Sequence, residues 1–403
     1  MPSVGGIREF LGLRRSILGV LGMAILVGMG EHMAERFLPI YIIALGGGTI
    51  VIGLLNALDN LLGAIYAFPG GYLSDRWGEK RALFFFNLIA IVGYVIVILI
   101  PRWEAVLVGA LFFLSWSAIS LPATMGIVSK VLPKDKRTMG VSMHSIVRRI
   151  PMSLGPIAGG IFIGLWGETV GVRAAFGFAI VMALVALALQ QKLIEKHPRS
   201  ESKAEGNPLR LWGEMSPELR RLLVADILVR FCEQIPYAFV VVWCMKTIAA
   251  PVTALQFGVL TTIEMTTAIL IYIPVAHFAD RSHKKPFVVM TFGFFTLFPV
   301  ILWFSRSFWP LVGAFIVRGF KEFGEPTRKA LIMDLAPEGK KAGMFGLYYF
   351  VRDTIVAVAA LGGAFLWQMG PEVNFMTAAA FGVVGTLWFA ARGSDLGVAI
   401  PKK

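Results

Sequence analysis

Twelve stretches of this chain are long and apolar enough to be membrane spans, and nothing else constrains its fold as strongly. They run near 16–45, 50–73, 83–101, 105–129, 139–166 and 171–192, then near 222–248, 253–277, 286–304, 308–333, 342–368 and 373–392. A helix needs about 20 apolar residues to cross the hydrocarbon layer. Of the 403 residues 57% are hydrophobic and 16% charged, whereas soluble domains carry roughly 45–50% and 25%. So few charges cannot clothe a water-exposed surface. An all-α polytopic membrane protein is expected, with the backbone amides satisfied inside their own helices. Arg8, Arg14 and Arg15 precede the first apolar run with no small-residue cleavage pattern, so span 1 reads as an uncleaved anchor.

The polar stretch 193–221 separates two groups of six spans. The expected organisation is an N-terminal bundle over 1–192, a cytoplasmic linker over 193–221 and a C-terminal bundle over 222–403. An even number of spans puts both termini on one side. That side also holds the linker and the loops after spans 2, 4, 8 and 10, and it collects 25 of the 38 Lys and Arg residues. The opposite side holds only Arg102, Arg173, Lys246 and Arg306. Positive charge is retained on the cytoplasmic side of a membrane, so both termini are expected in the cytoplasm of a cell-membrane protein. The net charge of +13 is therefore a topology signal, and nucleic acid is not an expected partner.

The two groups are repeats. Shifted by 204 residues, Leu107-Val108-Gly109-Ala110 falls on Leu311-Val312-Gly313-Ala314, and Arg102, Pro122, Pro133 and Val147-Arg148 fall on Arg306, Pro326, Pro337 and Val351-Arg352. A shift of 205 brings Asp59 onto Glu264 and Asp75-Arg76 onto Asp280-Arg281. Parallel six-span repeats related by an axis along the membrane normal are a transporter architecture, with the binding site expected between the halves near mid-membrane.

The loop after span 2 reads Gly71-Tyr72-Leu73-Ser74-Asp75-Arg76-Trp77-Gly78-Glu79-Lys80-Arg81. It resembles the motif between helices 2 and 3 of the major facilitator superfamily, and Asp280-Arg281 form its degenerate echo without the glycines. The resemblance implies a twelve-helix major facilitator fold working by alternating access. It also implies a cytoplasmic gate in which Gly71 and Gly78 permit a tight turn while Asp75, Arg76 and Arg81 latch the halves. Span 5 carries Gly155-Pro156-Ile157-Ala158-Gly159-Gly160, which resembles an element of proton-driven exporters of that superfamily. Its glycines allow close helix packing and its proline a bend.

Nine acids and nine bases lie inside the expected spans. A charge at the bilayer centre costs about 2.5–3.5 kcal/mol on insertion scales, so these groups must pair or line a wet cavity. Glu31 and Glu35 are one turn apart, and two carboxylates in a low dielectric resist ionising together. With Asp59, Glu233 and Glu264 they are the candidate proton-coupling residues, and Glu31, Glu35 and Asp59 are expected to converge with Arg36 as counter-ion. Arg36, Arg148, Arg230, Arg318 and Arg352 are the candidate substrate contacts, since guanidinium forks suit anionic groups. In span 10 the spacings Arg318–Glu322, Lys321–Glu325, Glu325–Arg328 and Glu322–Lys329 read as a helical ladder of ion pairs. Asp226, close to Arg220 and Arg221, reads as an interfacial partner.

The expected function is a secondary transporter, a proton-coupled antiporter exporting small organic molecules. The alternatives are uptake or exchange of an anionic metabolite or lipid headgroup, and a non-transporting sensor on the same fold. Metal transport finds no ligand spacing among Glu31, His32, Glu35 and Cys232. Cys232 and Cys244 suggest no disulfide framework, and no hydrolase or phosphate-loop motif occurs, so an enzyme is not expected. The partners implied are a small-molecule substrate, protons and the bilayer. No cofactor beyond the proton gradient is expected, and the chain is expected to act as a monomer. Green fluorescent protein fused after Lys403 should fluoresce, while alkaline phosphatase at the same position should be inactive. The reverse pattern would overturn the orientation.

Overall fold

In hydrocarbon a backbone amide has no water to bond, so each apolar run closes its hydrogen bonds internally as a helix. The computed structural model describes residues 15–114, 116, 118–120, 123–124, 127, 137–195, 208–279, 283–337 and 341–394, and among these all regular structure is helical. Span 1 is Arg15–Glu35, extended after a turn by Leu38–Ala44; span 2 is Thr49–Trp77, span 3 Glu79–Leu99, and span 4 opens with Trp103–Phe113. Spans 5 and 6 share the run Arg137–Leu193, interrupted at Gly167, where φ is 76° and ψ 174°. That conformation suits a residue without Cβ. The chain folds back there, since Phe162 meets Phe178 with ring centroids 5.8 Å apart.

Span 7 is Pro217–Tyr237 followed by Phe239–Thr247, bent by 41°, and its last turn, Trp243–Thr247, is a π-helix. Span 8 is Ala254–Ala279 and span 9 Lys284–Phe304. Span 10 is split into Phe308–Gly319, a 3₁₀ turn Phe320–Glu322 and Glu325–Leu335; spans 11 and 12 are Lys341–Met369 and Pro371–Arg392. Nine helices among the described residues are long and apolar enough to cross a membrane. The Gly167 break divides one of them in two, and bent span 7 and split span 10 supply the others, so the architecture accommodates twelve spans. The stretch 193–221 is partly helical. Pro208–Gly213 is a short helix, and span 7 starts at Pro217 rather than near 222 because Ser216 Oγ caps it by accepting from the Leu219 amide at 3.2 Å.

The chain forms two compact units, 1–48 with 61–203 and 253–262, and 49–60 with 204–252 and 263–403. The first twelve residues of span 2 thus belong to the second unit, and the start of span 8 belongs to the first. Missing side chains explain this exchange. In the second unit a Cβ on Gly53 would meet Ala364 and the carbonyls of Leu361 and Ala360; in the first, a Cβ on Gly258 would meet the backbone of Pro156 and Ile157, and one on Gly160 the backbone of Ala254 and Leu255. These are equivalent crossings, span 2 with span 11 and span 8 with span 5, in the register of the 204–205-residue repeat.

A second pair of crossings carries a different register. Gly159 of span 5 lies against the Met33 carbonyl of span 1, and Gly363 of span 11 lies against the Ile235 carbonyl of span 7. Gly159 and Gly363 are 204 apart, but Met33 and Ile235 are 202 apart. At that shift Phe37 falls on Phe239 and Glu31 on Glu233.

A Gly159→Leu substitution should push span 1 from span 5, and overpacking costs about 1–3 kcal/mol or more. A drop in the thermal midpoint of the detergent-purified protein is expected. Gly164→Leu, where a Cβ has nothing within 4 Å, should leave it unchanged.

Candidate functional site: two buried charge clusters

In the second unit, span 7 presents Asp226, Arg230 and Glu233 at helical spacings of four and three, which place them along one face. Arg352 arrives from span 11 and Glu264 from span 8. Span 10 contributes Arg318 before its break, Lys321 within the 3₁₀ turn, and Glu325 and Arg328 after Gly324. The break matters because α-helical spacing does not continue through a 3₁₀ turn. Among the ladder pairs expected within span 10, Glu325–Arg328 forms, with Arg328 Nη2 2.7 Å from Glu325 Oε1. Lys321 and Arg318 instead point to other helices. Lys321 Nζ lies 3.1 Å from Glu233 Oε1 and 3.1 Å from Glu264 Oε1, and Arg318 Nε lies 3.3 Å from Glu264 Oε1.

Asp226 is the centre of this cluster, which corrects its reading as an interfacial residue. It is 1% exposed. Arg328 donates to it in a close ion pair, Tyr348 donates its hydroxyl at 3.0 Å, Arg352 Nη1 lies at 3.4 Å and Arg230 Nε at 3.9 Å. Proximity in sequence to Arg220 and Arg221 was misleading because those bases are turned to the exposed side of the helix. Arg230 Nη1 also donates to Glu233 at 2.5 Å and Arg352 pairs with Asp353 at 2.7 Å. Aromatic rings complete the cationic shells, Tyr349 beneath Arg352 at 4.2 Å and Phe298 beneath Arg318 at 4.9 Å. A small cavity opens where Glu233, Arg318 and Lys321 face Phe294, Phe295 and Phe298.

The first unit holds a smaller cluster on span 1. His32 Nδ1 and Glu35 Oε2 are 2.6 Å apart, Glu31 is 5% exposed, and Gly155 of span 5 is closely apposed to His32. Arg148 interacts electrostatically with Glu31, and Arg36 with both His32 and Glu35. Glu31, Glu35, Arg36 and Arg148 are thus brought together. Asp59 is half-buried and belongs to the second unit, on the stretch whose Asn56 and Asn60 donate to the carbonyl and side chain of Gln234 at 3.1 and 3.2 Å.

In the gate motif, Gly78 alone forms the turn between spans 2 and 3 at a φ of 83°. Arg76 and Arg81 are exposed, and Arg76 Nη1 lies 3.4 Å from the Tyr72 hydroxyl. Gly71 and Asp75 lie in the last turns of span 2, with the Asp75 side chain outside what is described. Asp280 and Arg281 lie outside the described residues. Among the described residues no group of three or more His, Cys, Asp or Glu is placed to hold a metal.

A helical bundle of repeats with ion clusters in its membrane interior defines a polytopic transporter. The sequence profile described as Major Facilitator Superfamily matches residues 20–251 and again 222–401. The chain belongs to the Major Facilitator Superfamily and is a multi-pass membrane transporter of small molecules, not an enzyme. It is 25% identical over 365 residues to the inner membrane transport protein YajR of Escherichia coli, covering 87% of this chain and 77% of that one. It is 23% identical to the MFS-type transporter MJ1317 of Methanocaldococcus jannaschii, over 89% and 90% of the two chains. Among solved structures it resembles the nucleoside transporter NupG with a TM-score of 0.79 at 13% identity, over 94% of this chain and 100% of that one.

Asp226→Asn removes the charge that Arg328 and Arg352 share. Breaking a buried ion pair costs about 3–5 kcal/mol, so a large loss of thermal stability is expected. Lys284→Gln, at a pair whose Asp334 is 41% exposed, should cost under about 1 kcal/mol.

Proposed function

We propose that the chain is a proton-coupled antiporter that exports small organic molecules by alternating access. The observation that carries this reading is the equivalence of Glu31 and Glu233. Each is an acid on the first span of its repeat, Glu31 buried and the Glu233 side chain 10% exposed, at the same position relative to a helix crossing, and each sits in a cluster that includes bases. Coupling protons to alternating access needs groups whose proton affinity differs between the two states, and Glu31 and Glu233 supply one for each half. Asp59 and Glu264 are also repeat-related acids, both within the second unit, and Glu35, held by His32, belongs with Glu31.

The alternative, an anionic substrate held by open guanidinium forks, is less well supported. Arg230, Arg318 and Arg352 each face a carboxylate. Arg36 and Arg148, the candidate contacts of the first unit, likewise interact with carboxylates, Glu35 and Glu31. Export is supported by the resemblance of the Gly155-Pro156-Ile157-Ala158-Gly159-Gly160 element to one of proton-driven exporters; its glycines sit against span 1 and the start of span 8. The energy source is the proton gradient, the acting form is a monomer, and both termini lie in the cytoplasm of the cell membrane.

The test is survival of an efflux-deficient bacterium against a broad panel of toxic compounds. Wild type should protect against some of them, and Glu31→Gln and Glu233→Gln should each lose that protection at equal membrane abundance. Protection undiminished in both variants would overturn the assignment of the acids. An absence of any protection would overturn export.

A further inference from the structure

Lys321 pairs with two acids, neither of them on its own helix, whereas Arg230, Arg328 and Arg352 each pair with an acid of their own helix. Its ammonium lies between two carboxylates from two different helices, 3.1 Å from Glu233 of span 7 and 3.1 Å from Glu264 of span 8. Each of those acids has a base of its own besides, Arg230 at 2.5 Å for Glu233 and Arg318 at 3.3 Å for Glu264. Removing Lys321 from either acid therefore strands neither. A lysine is a point charge on a flexible stem, whereas the arginines hold fixed forks and are stacked on rings.

The backbone places this charge at a break in its helix. Lys321 sits in the 3₁₀ turn Phe320–Glu322, between two helical pieces of span 10. The turn is anchored at both ends: Gly319 abuts Glu264 and Thr267, and the Gly324 amide donates to Thr291 Oγ1 at 2.6 Å. The groups around Lys321 are Glu233 and Arg230 from span 7, Glu264 from span 8, and Arg318 and Glu322 from its own span, with Tyr237 beside Arg318. Span 9 contributes phenylalanines to the adjoining cavity.

We propose that Lys321 is a coupling residue, an internal cation shared by Glu233 and Glu264 that a proton arriving on either carboxylate releases to the other. The step is a protonation only. A proton from water adds to one carboxylate oxygen, the three N–H bonds of Lys321 are kept, and its charge stays paired with the remaining carboxylate. The shift tethers the span 10 turn to span 7 or to span 8, which converts proton binding into a choice between two helix contacts. This inference rests on the proton-coupled reading above.

Infrared titration of the full-length protein in lipid tests it without a substrate, because a buried protonated carboxyl has its own stretching band. In Lys321→Gln the band should persist to a pH at least about one unit higher than in wild type, a tenfold change in proton affinity. In Glu233→Gln, where Glu264 keeps Lys321 to itself, the remaining titration should move to lower pH. The double variant Glu233→Gln/Lys321→Gln should return towards the wild-type midpoint. Titration of Lys321→Gln indistinguishable from wild type would overturn the proposal; if that variant does not fold, an unmoved midpoint in Glu233→Gln would do so. Unmoved titrations with pH-driven export intact would remove the role of Lys321 alone. Export indifferent to a pH gradient would remove the coupled reading itself.

Discussion

A charge in hydrocarbon must find a partner, and much of this structure follows from that requirement. An uncompensated charge at the centre of a membrane helix costs about 2.5–3.5 kcal/mol, so the embedded acids and bases cannot be scattered at random. In the second unit they converge: spans 7, 8, 10 and 11 each supply charged groups to one cluster, and Asp226 alone gathers Arg328, Arg352 and Tyr348. Such a cluster does more than neutralise itself. Its pairs cross between helices, so the helices that carry them are fixed relative to one another within the unit.

The helix breaks lie where the charges do. Span 10 leaves α-helical geometry at Phe320–Glu322, in the middle of its charged stretch, and span 7 bends a few residues after Glu233. The bend frees backbone carbonyls near Pro236, and asparagine amides take them: Asn56 donates to the Gln234 carbonyl at 3.1 Å, and Asn374 to the Ile235 carbonyl at 3.3 Å. An unsatisfied carbonyl in a membrane interior is costly, so a break is tolerated only where such donors are present. The proposed proton sites thus sit beside the places where the helices depart from regular geometry.

Much of the fold was legible in the sequence because hydrophobic length and repeat spacing are one-dimensional properties. The apolar runs became helices, and the 204–205-residue register reappears in the crossings of Gly53 and Gly258. The split of the chain at 193–221 did not anticipate that the beginnings of spans 2 and 8 pack with the opposite units, since no composition change marks that exchange. Ion pairing was less legible still. Helical spacing correctly joined Glu325 to Arg328 but wrongly assigned Arg318 and Lys321, because a local rule cannot anticipate the 3₁₀ turn or the carboxylates of spans 7 and 8. The 202-residue register relating Glu31 to Glu233 was hidden for a similar reason. It becomes visible only when the glycines of spans 5 and 11 are seen against spans 1 and 7.

The central claim is that buried carboxylates exchange protons for substrate. The direct measurement is proton flux in liposomes reconstituted with the purified transporter, loaded with a pH-sensitive dye and made acidic inside. A compound against which the protein protects cells should, when added outside, raise the internal pH, and Glu233→Gln should abolish that rise. Uptake of the compound with no movement of protons would contradict the account.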